Sequence, residues 1–238
     1  MAQLVVMCGG YGRRMAAVTG GSQKCLVPVA ARPFLAHVLA AATGGAVDRV
    51  LLLAGHRGDE VKAFADNLRR GPAGVPFELT VRFETRPRGP VAALRDAADL
   101  LAEGFAVALG DVLPPPGAGR LVTALADLVG VTGAAAVMTV APAAASQDPG
   151  NVHLGLNGPW ISRFGQSRPG PFIDYGFRYL RRDCLDEHAG DGDREFFGRL
   201  AAARRLAYHL VDSPIVEVGT PDRWIAAEAA LVHRGGTA

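Results

Sequence analysis

A loop rich in glycine and arginine follows the first apolar segment of the chain and has the residue types that bind phosphate. Its residues are Gly9, Gly10, Tyr11, Gly12, Arg13 and Arg14. Glycines let backbone N–H groups approach and surround an anion, and arginines add charge-assisted hydrogen bonds to phosphate oxygens. A simple glycine turn with solvated arginines has the same composition. The apolar run at residues 3–8 directly before the loop favours the phosphate-binding interpretation.

Two more charged residues fit phosphate chemistry. Lys24 follows Arg14 by ten residues, beyond a glycine-rich stretch. Asp111 comes directly after Leu109 and Gly110, at the end of another apolar run. A carboxylate at the end of a strand, across from a phosphate loop, suits Mg²⁺ coordination. The structural alternative is a turn that the aspartate closes with an Asx-type hydrogen bond.

Other common chemistries lack their motifs. Met15 stands where a dinucleotide-binding fingerprint that starts at Gly10 needs a third glycine or an alanine, and the chain has no GxxxxGK[ST] sequence. The five serines form no GxSxG motif, and no HExxH motif is present. These absences weigh against a dinucleotide-dependent oxidoreductase, a P-loop enzyme, a serine hydrolase and a zinc protease.

The composition is that of a folded chain with nearly balanced charge. Of 238 residues, 49% are hydrophobic and 20% are charged, and the net charge is +2. A chain of this length buries about 70% of the surface that it exposes when unfolded, which supplies a large core. The small net charge argues against a dedicated nucleic-acid or membrane-surface protein. Cys8, Cys25 and Cys184 form no CxxC pattern, and no signal-type or membrane-spanning run is present, so we expect a cytoplasmic protein.

The hydrophobic pattern predicts strands that alternate with helices. The predicted strands are residues 3–8, 49–54, 77–83, 105–109, 134–140, 152–156, 160–164, 172–180, 206–211 and 215–218. The predicted helices are residues 33–42, 58–70, 90–102, 120–129, 194–205 and 221–233. This order predicts an α/β fold with a mostly parallel sheet flanked by helices. Ligands of such sheets bind beyond the carboxyl ends of the strands, where we expect the glycine loop and Asp111 to lie.

Four segments together resemble the signature of the sugar-1-phosphate nucleotidyltransferases. That signature reads AGGxGTRL, then PKxLxPVxGRP, and near the C-terminus DxGTP followed by an acidic residue. The matching segments are CGGYGRRM at residues 8–15, QKCLVPVAARP at residues 23–33, LGD at residues 109–111 and EVGTPD at residues 217–222. The compact length is most similar to the bacterial heptose-1-phosphate and mannose-1-phosphate guanylyltransferases.

The resemblance implies a fold and a reaction. The fold is a Rossmann-like domain with a smaller sugar-binding portion on its later strands. Here that implies a single domain, with a nucleotide-binding core at residues 1–140 and an acceptor-binding portion at residues 141–238. The reaction is Mg²⁺-dependent transfer of a nucleotidyl group from an NTP to a sugar or cyclitol 1-phosphate, with release of pyrophosphate. No nucleic acid or membrane is implied as a partner, and the chain could form a homo-oligomer.

The resemblance also implies roles for the matched residues. Arg14, Lys24 and Asp111 are expected to be catalytic, with Arg14 on the leaving pyrophosphate and Lys24 on the phosphates in the transition state. The residues expected to bind the nucleotide are Gly9, Gly10, Tyr11, Gly12, Arg13, Glu84 and Gly89. The residues expected to bind the acceptor are Gly150, Asn151, Arg168 and Asp174. Asp111 and Glu217 are expected to hold Mg²⁺.

Some positions near these residues differ from the family pattern. Gln23 replaces the proline before the lysine, and Glu217 replaces an aspartate. The segment GPVAA at residues 89–93 stands where the family has GTGGA, so we expect Val91 to add bulk beside the nucleotide. These changes indicate an unusual acceptor, an altered base preference or a loss of activity.

The acceptor side differs as well. The usual Glu-Lys pair before the sugar pocket is Gln166-Ser167 here, and Arg168 could supply the missing positive charge. Retention of Arg14, Lys24 and Asp111 favours an active enzyme. A regulatory subunit that binds a nucleotide or sugar nucleotide without turnover is the alternative, and a dinucleotide-dependent oxidoreductase fits less well.

Overall fold

A mostly parallel sheet lies at the centre of the molecule, between two layers of helices. The computed structural model describes residues 2–71, 74–165, 169–186 and 192–235. The strands, β1 to β11 in chain order, are Ala2–Cys8, Pro28–Val29, Arg32–Pro33, Val47–Ala54, Glu78–Phe83, Gly104–Leu109, Ala136–Pro142, Val152–Leu154, Ile161–Phe164, Phe172–Arg181 and Leu206–Leu210. The α-helices, α1 to α7, are Ala16–Thr19, Phe34–Ala42, Gly58–Arg70, Pro90–Asp96, Ala118–Thr132, Asp193–Ala202 and Pro221–Gly235.

The strand order places the first strand at a reversal of the chain's path. Within the described ranges nine strands form one sheet, in the order β11-β7-β10-β6-β1-β4-β5, with β8 and β9 attached through β10. β1 is parallel to both of its neighbours, β4 and β6. The chain continues from β1 to β4 and β5 on one side and reaches β6 on the other. Ligand sites of open α/β sheets form at such a reversal, so the topology places a site at the carboxyl end of β1.

The sheet confirms the predicted α/β class and adds one feature. β10 is antiparallel to both of its neighbours, β6 and β7, whereas the other pairs along the main path are parallel. The strand β10 comes from the predicted acceptor-binding portion, yet it lies between β6 and β7 of the predicted nucleotide-binding core. The two portions therefore share one continuous sheet.

Both faces of the sheet are buried. In β1, Leu4 and Val6 belong to the apolar layer formed with α2, α3, α5 and α7, and Val5 belongs to the opposite layer with α4 and α6. Because the central strands β1, β4, β6 and β7 are covered on both sides, their sequences are continuous apolar runs rather than alternating ones. This is why short unbroken runs predict the strands of the core so well.

The helix α3 shows how the outer layer forms. Val61 and Ala65 are buried on its inner face, and the first turn carries Asp59 and Glu60, which suit the positive end of a helix dipole. The helix spans the predicted residues 58–70. Among the described residues, no helix combines the length and the apolar character that crossing a membrane requires.

Two predicted elements are wrong in part. Residues 215–218 form no strand: Glu217 makes only an isolated antiparallel bridge with Val112. Val112 lies in a turn after β6, so no further residues there can pair with this segment. Pro214 and Gly219 flank residues 215–218 on either side. The predicted helix at residues 90–102 ends as α4 at residue 96, and a separate 3-10 turn follows it.

Candidate functional site

A cleft of about 370 Å³ lies beyond the carboxyl ends of β1 and β6. Its lining comprises Met7, Cys8, Gly9, Gly10, Tyr11, Gln23, Lys24, Cys25, Glu84, Pro87, Gly89, Pro90, Leu109 and Asp111. The structure therefore brings together seven of the residues predicted from the sequence: Gly9, Gly10, Tyr11, Lys24, Glu84, Gly89 and Asp111. Gly12, Arg13 and Arg14 follow in the same loop, at the edge of the cleft.

An ion pair joins the two main charged residues of the cleft. Lys24 Nζ contacts Asp111 Oδ2, and the side chains are 17% and 25% exposed. The 3-10 turn Lys24–Leu26 carries the lysine, and Asp111 follows β6 by one glycine. Gly12 allows the approach, because its φ is +60° and a Cβ there would lie only 3.0 Å from Lys24 Cβ. A cation and a carboxylate thus face each other where phosphates are expected.

Glu84 lies directly against the glycine loop. A Cβ on Gly9 would be 1.9 Å from Glu84 Oε1, so any larger residue at this position would have to push the glutamate side chain aside. The backbone N–H of Glu84 donates to the carbonyl of Ala54 at 2.7 Å, which fixes it at the end of β4. Burial raises the pKa of the Glu84 carboxyl, and the charge of Asp96 adds to the rise. Among the described residues no donor to this carboxylate is found, which leaves its oxygens available to a ligand.

Aromatic and basic side chains cover the outer edge of the loop. The Tyr11 ring lies 5.1 Å from the His56 ring, and the Arg13 guanidinium lies 5.3 Å from the Tyr11 ring centre. Tyr11 is 50% exposed, so one face of this stack is accessible to a ligand.

Two backbone hydrogen bonds join the segments that carry the two predicted metal carboxylates, Asp111 and Glu217. The N–H of Val218 donates to the carbonyl of Asp111 at 3.0 Å, and the N–H of Leu113 donates to the carbonyl of Val216 at 2.8 Å. Glu217 lies between these two bonds. Burial raises the pKa of the Glu217 carboxyl, the Arg223 guanidinium opposes the rise, and the charge of Asp111 adds to it.

Asp111 and Glu217 have the side-chain chemistry that could hold a magnesium ion together with a substrate phosphate. Asp111 and Glu217 offer carboxylate oxygens, which Mg²⁺ prefers. In the part of the chain that the structure describes, no group of three or more His, Cys, Asp or Glu side chains could hold a metal. Two carboxylates that leave the remaining positions to phosphates and water are the usual Mg²⁺ arrangement in phosphoryl-transfer sites.

Basic side chains surround the Glu217 end of the site. Arg223 Nη1 donates to Glu217 Oε1 at 2.6 Å, and the same guanidinium binds both carboxylate oxygens of Asp148. A Cβ on Gly219 would lie 2.8 Å from Glu217 Oε2 and 3.8 Å from Arg14 Nη2. Arg14 is therefore placed at the same end as Glu217, on the side of the oxygen that Arg223 does not bind.

Three predicted acceptor residues form a separate cluster, outside the lining of the cleft. Asn151 Oδ1 accepts the N–H of Asp174 at 3.0 Å, and the carbonyl of Gly150 accepts the N–H of Gly170 at 2.8 Å. The Asp174 carboxylate is 8% exposed and binds the buried guanidinium of Arg178. Their polar groups are thus engaged within the protein, and the acceptor role of these residues stays a prediction. The fourth residue, Arg168, and the neighbouring Gln166-Ser167 lie outside the described residues.

An irregularity in β10 links this cluster to the cleft. The pairing of β10 with β7 shifts between Asp174 and Arg178. At the shift, a Cβ on Gly176 would lie 3.1 Å from Leu109 Cδ1 and 3.6 Å from Val112 Cβ, on either side of Asp111. The acceptor-binding portion expected from the sequence therefore approaches the cleft at Asp111.

The expectation for Val91 is wrong. Its side chain is fully buried in the apolar layer with Val5 and Leu51, away from the cleft. The first turn of α4 points this residue into the core, and the cleft is lined instead by Pro90.

Sequence reasoning did not single out four other residues of the site: Gln23, Arg223, Cys8 and Cys25. Arg223 comes directly after the EVGTPD segment, and Gln23 was noted only as a departure from the motif. Cys8 and Cys25 are buried at the floor of the cleft. A hydrogen bond with Cys25 and burial raise the pKa of the Cys8 thiol, so this thiol stays protonated and packs as an apolar group.

Comparisons with solved structures agree on the fold. HddC from Yersinia pseudotuberculosis in complex with GMP-PN has a TM-score of 0.76 and 17% identity, and the alignment covers 97% of this chain and 100% of that one. The UDP-glucose pyrophosphorylase of Acinetobacter baumannii has a TM-score of 0.80 and 15% identity, and the alignment covers 100% of this chain and 95% of that one. At these identities the likeness establishes the fold alone.

Sequence comparisons add a relative and a family. The CMP-5'-(3-aminopropyl)phosphonate synthase of Streptomyces rubellomurinus is 30% identical over 112 residues, which are 47% of this chain and 17% of that protein. The matched part is thus a small fraction of a much longer relative. The model of the MobA-like NTP transferase domain matches residues 4–202, which include the glycine loop, Lys24 and Asp111. This chain therefore belongs to the MobA-like NTP transferase domain family, whose members are nucleotidyltransferases.

Proposed function

We propose that the protein transfers a nucleotidyl group from an NTP to a sugar or cyclitol 1-phosphate and releases pyrophosphate, with Mg²⁺ as cofactor. The observation that carries this proposal is the contact of Lys24 with Asp111 at the end of a cleft lined by the glycine loop, with Glu217 bonded through its neighbours to Asp111. A cation, two carboxylates and a row of backbone N–H groups are what a triphosphate with its metal requires.

The reaction needs no general base. A phosphate oxygen of the acceptor attacks the α-phosphorus in line, a new P–O bond forms, and the bond to the β-phosphate oxygen breaks as pyrophosphate leaves with the electron pair. The acceptor phosphate is already ionised near neutral pH, because its second pKa is about 6. Lys24 stabilises the charge that develops between the α- and β-phosphates, and Arg14 holds the leaving pyrophosphate. Asp111 and Glu217 would hold Mg²⁺, which supplies charge neutralisation when bound.

Glu84 favours guanine as the base. Its carboxylate presents two acceptor oxygens in the cleft and no donor. Guanine offers an imino and an amino donor side by side, cytosine offers one amino group, and uracil sets a single N–H between two carbonyl oxygens. A bidentate contact with guanine is therefore the best complement, and we place GTP first and CTP second.

A phosphonate acceptor is the second candidate. A phosphonate carries the same dianionic oxygens as a phosphate monoester and can attack the α-phosphorus in the same way. The observation that favours it is the 30% identity over 112 residues to a protein named for a CMP-linked aminopropylphosphonate. Both acceptors present a doubly charged phosphorus oxyanion, so the experiment must distinguish a sugar or cyclitol 1-phosphate from a phosphonate.

The test is pyrophosphate release with Mg²⁺ from GTP, CTP, UTP, ATP and dTTP, each with hexose, heptose and cyclitol 1-phosphates and with aminoalkyl phosphonates. Release that requires one NTP together with one 1-phosphate supports the first candidate. Release that requires a phosphonate replaces it with the second. Nucleotide binding by calorimetry without release from any pair contradicts transfer and identifies a binding subunit.

The base assignment has its own variant. Glu84→Gln presents one donor and one acceptor, which complement the N–H and the carbonyl of uracil. We expect the ratio of kcat/KM for GTP over UTP to fall by about tenfold or more. Glu78→Gln, an exposed change on β5, is the control and leaves the ratio unchanged. An unchanged ratio in Glu84→Gln would show that this carboxylate does not contact the base.

A further inference from the structure

Gln23 is a buried polar residue that joins three parts of the fold. Its side-chain Nε2 donates to the carbonyl of Cys8 at 2.6 Å and to the carbonyl of His56 at 2.7 Å. Its backbone N–H donates to Glu60 Oε2 at 2.7 Å. The residue is only 2% exposed, and its bond to the carbonyl of Cys8 is buried. Buried hydrogen bonds of this kind fix a geometry, because breaking them leaves unpaired polar groups.

Of the two carbonyls that Gln23 binds, one ends β1 and the other lies in the turn directly after the neighbouring parallel strand β4. Cys8 ends β1 and pairs with Ala54, which ends β4, and His56 follows two residues later. Both amide hydrogens are used, and two carbonyl acceptors dictate that the amide nitrogen faces them. Gln23 therefore bridges the carboxyl ends of β1 and β4, at the point where the glycine loop leaves β1.

The residue after Gln23 is Lys24. The carbonyl of Gln23 accepts the N–H of Leu26 at 2.9 Å, so Gln23 also starts the turn that carries the lysine. The lysine side chain is a long, rotatable stem, and its ammonium reaches the phosphates in a reproducible place only if its backbone is fixed. Within the described residues, two other contacts of this turn reach one segment each: Cys25 bonds to Cys8 of β1, and Lys24 pairs with Asp111 after β6.

We propose that Gln23 is a positioning residue that fixes the backbone of Lys24 relative to the glycine loop and so sets where the lysine meets the phosphates. The proposal rests on the proposed function, since it assigns Lys24 to the phosphates. It also explains the departure from the family proline at this position: here a glutamine side chain supplies by hydrogen bonds the rigidity that a proline ring supplies by covalent restraint.

The chain offers a matched control in Gln3. This glutamine is 5% exposed and lies near the start of β1, whereas the site lies at the other end of that strand. Its Nε2 donates to the carbonyl of Leu100 at 2.8 Å, and its Oε1 accepts the N–H of Ala102 at 2.7 Å. Gln3→Met and Gln23→Met each remove two side-chain hydrogen bonds from a buried glutamine, and only Gln23 is next to Lys24.

The experiment measures binding and turnover of these variants. The probe is GTP with Mg²⁺, or whichever NTP of the panel the wild-type protein binds most tightly, titrated by calorimetry without acceptor. We expect both variants to lower the Tm, and only Gln23→Met to lower kcat, by about 10- to 100-fold, as a misplaced catalytic group does. In a Lys24→Ala background, Gln23→Met should cause little further loss of NTP affinity, because the residue acts through the lysine.

Several outcomes overturn the proposal. Gln23 is a purely structural residue if Gln3→Met and Gln23→Met lower kcat equally. The same conclusion follows if Gln23→Met lowers NTP affinity equally in the wild-type and Lys24→Ala backgrounds. Gln23→Asn, whose shorter amide cannot reach both carbonyls, replaces Gln23→Met if that variant does not fold, and the same outcomes apply. A wild-type protein that binds no NTP overturns the proposed function instead.

Discussion

The Lys24 ammonium contacts the Asp111 carboxylate across 87 residues of sequence. The lysine comes from the loop after β1 and the aspartate from the loop after β6, so the pair exists only because these two strands are parallel neighbours. Each residue satisfies the other in the absence of a ligand. Under the proposed function, a triphosphate with its metal would separate them, because the lysine would bind phosphate oxygens and the aspartate would bind the cation.

Loss of the lysine should strongly reduce turnover and leave the fold intact. Lys24→Ala removes a cation from the developing charge of the transition state, and we expect kcat to fall by about 10²- to 10³-fold. Pyrophosphate release measures the effect, and circular dichroism checks the fold. Lys62→Ala is the control, since the other lysine of the chain forms an exposed pair with Asp66 on α3. Wild-type turnover in Lys24→Ala would exclude the assigned role.

Loss of the aspartate should act through the metal. Asp111→Asn removes a negative ligand, so we expect the Mg²⁺ concentration for half-maximal rate to rise at least about tenfold while kcat falls. Binding of Mn²⁺, followed by electron paramagnetic resonance with NTP present, gives a second readout. The matched control is Asp99→Asn, whose carboxylate pairs with Arg82 at the surface. An unchanged Mg²⁺ response would count against metal ligation by Asp111.

Gly9 and Gly10 should respond in opposite ways to alanine. A Cβ on Gly9 would collide with Glu84 Oε1 at 1.9 Å, whereas a Cβ on Gly10 would have no atom within 4 Å. We expect Gly9→Ala to displace the Glu84 carboxylate and to lower the free energy of unfolding by about 1 kcal/mol, the low end for overpacking, because the colliding atom ends a flexible side chain. Gly10→Ala should fold with near wild-type stability. Urea denaturation compares the two, and equal stabilities would contradict the close packing at Gly9.

Sequence patterns predicted the core of the site but not all of its geometry. The short apolar runs at β1 and β6 placed the glycine loop and Asp111 at one edge of a parallel sheet, since carboxyl ends of parallel strands coincide. The antiparallel insertion of β10 between β6 and β7 left no such signal. Its placement depends on long-range pairing, and an apolar run of that length does not reveal the direction of its partner.

Residues 215–218 and Gln23 show two further limits of the sequence. The run 215–218 is apolar enough for a strand, yet its only bridge partner is a turn, so pairing rather than composition decided its structure. The role of Gln23 depends on two carbonyls that lie 15 and 33 residues away in sequence. A buried glutamine and an exposed one have the same sequence signature.

The raised pKa of Glu84 predicts how stability depends on pH. Burial makes the folded state hold this proton more tightly than the unfolded state does. Below the unfolded pKa of about 4.3 the carboxyl is protonated in both states and carries no penalty. As the pH rises through the window up to the folded pKa, ionisation costs the folded state more, and the penalty persists at higher pH.

Glu84→Gln should therefore be more stable than wild type at pH 7, and the two should have equal stability near pH 4. Chemical denaturation at both values measures the difference, with Glu78→Gln as an exposed control. A stabilisation of the same size at both pH values would show that the cause is not ionisation.

The buried pair of Asp174 and Arg178 decides what Asp174 does. The guanidinium of Arg178 is bound by Asp174 and Asp193 and lies 4.4 Å from the centre of the Phe197 ring. Removing one partner of a buried ion pair leaves an uncompensated charge, so we expect Asp174→Ala to lower the free energy of unfolding by about 3–5 kcal/mol. Arg181→Ala, which breaks an exposed pair with Asp183, should cost less than about 1 kcal/mol. If Asp174→Ala keeps wild-type stability and only raises the KM of the acceptor, then this carboxylate contacts the substrate directly, and its pairing with Arg178 contributes little to the fold.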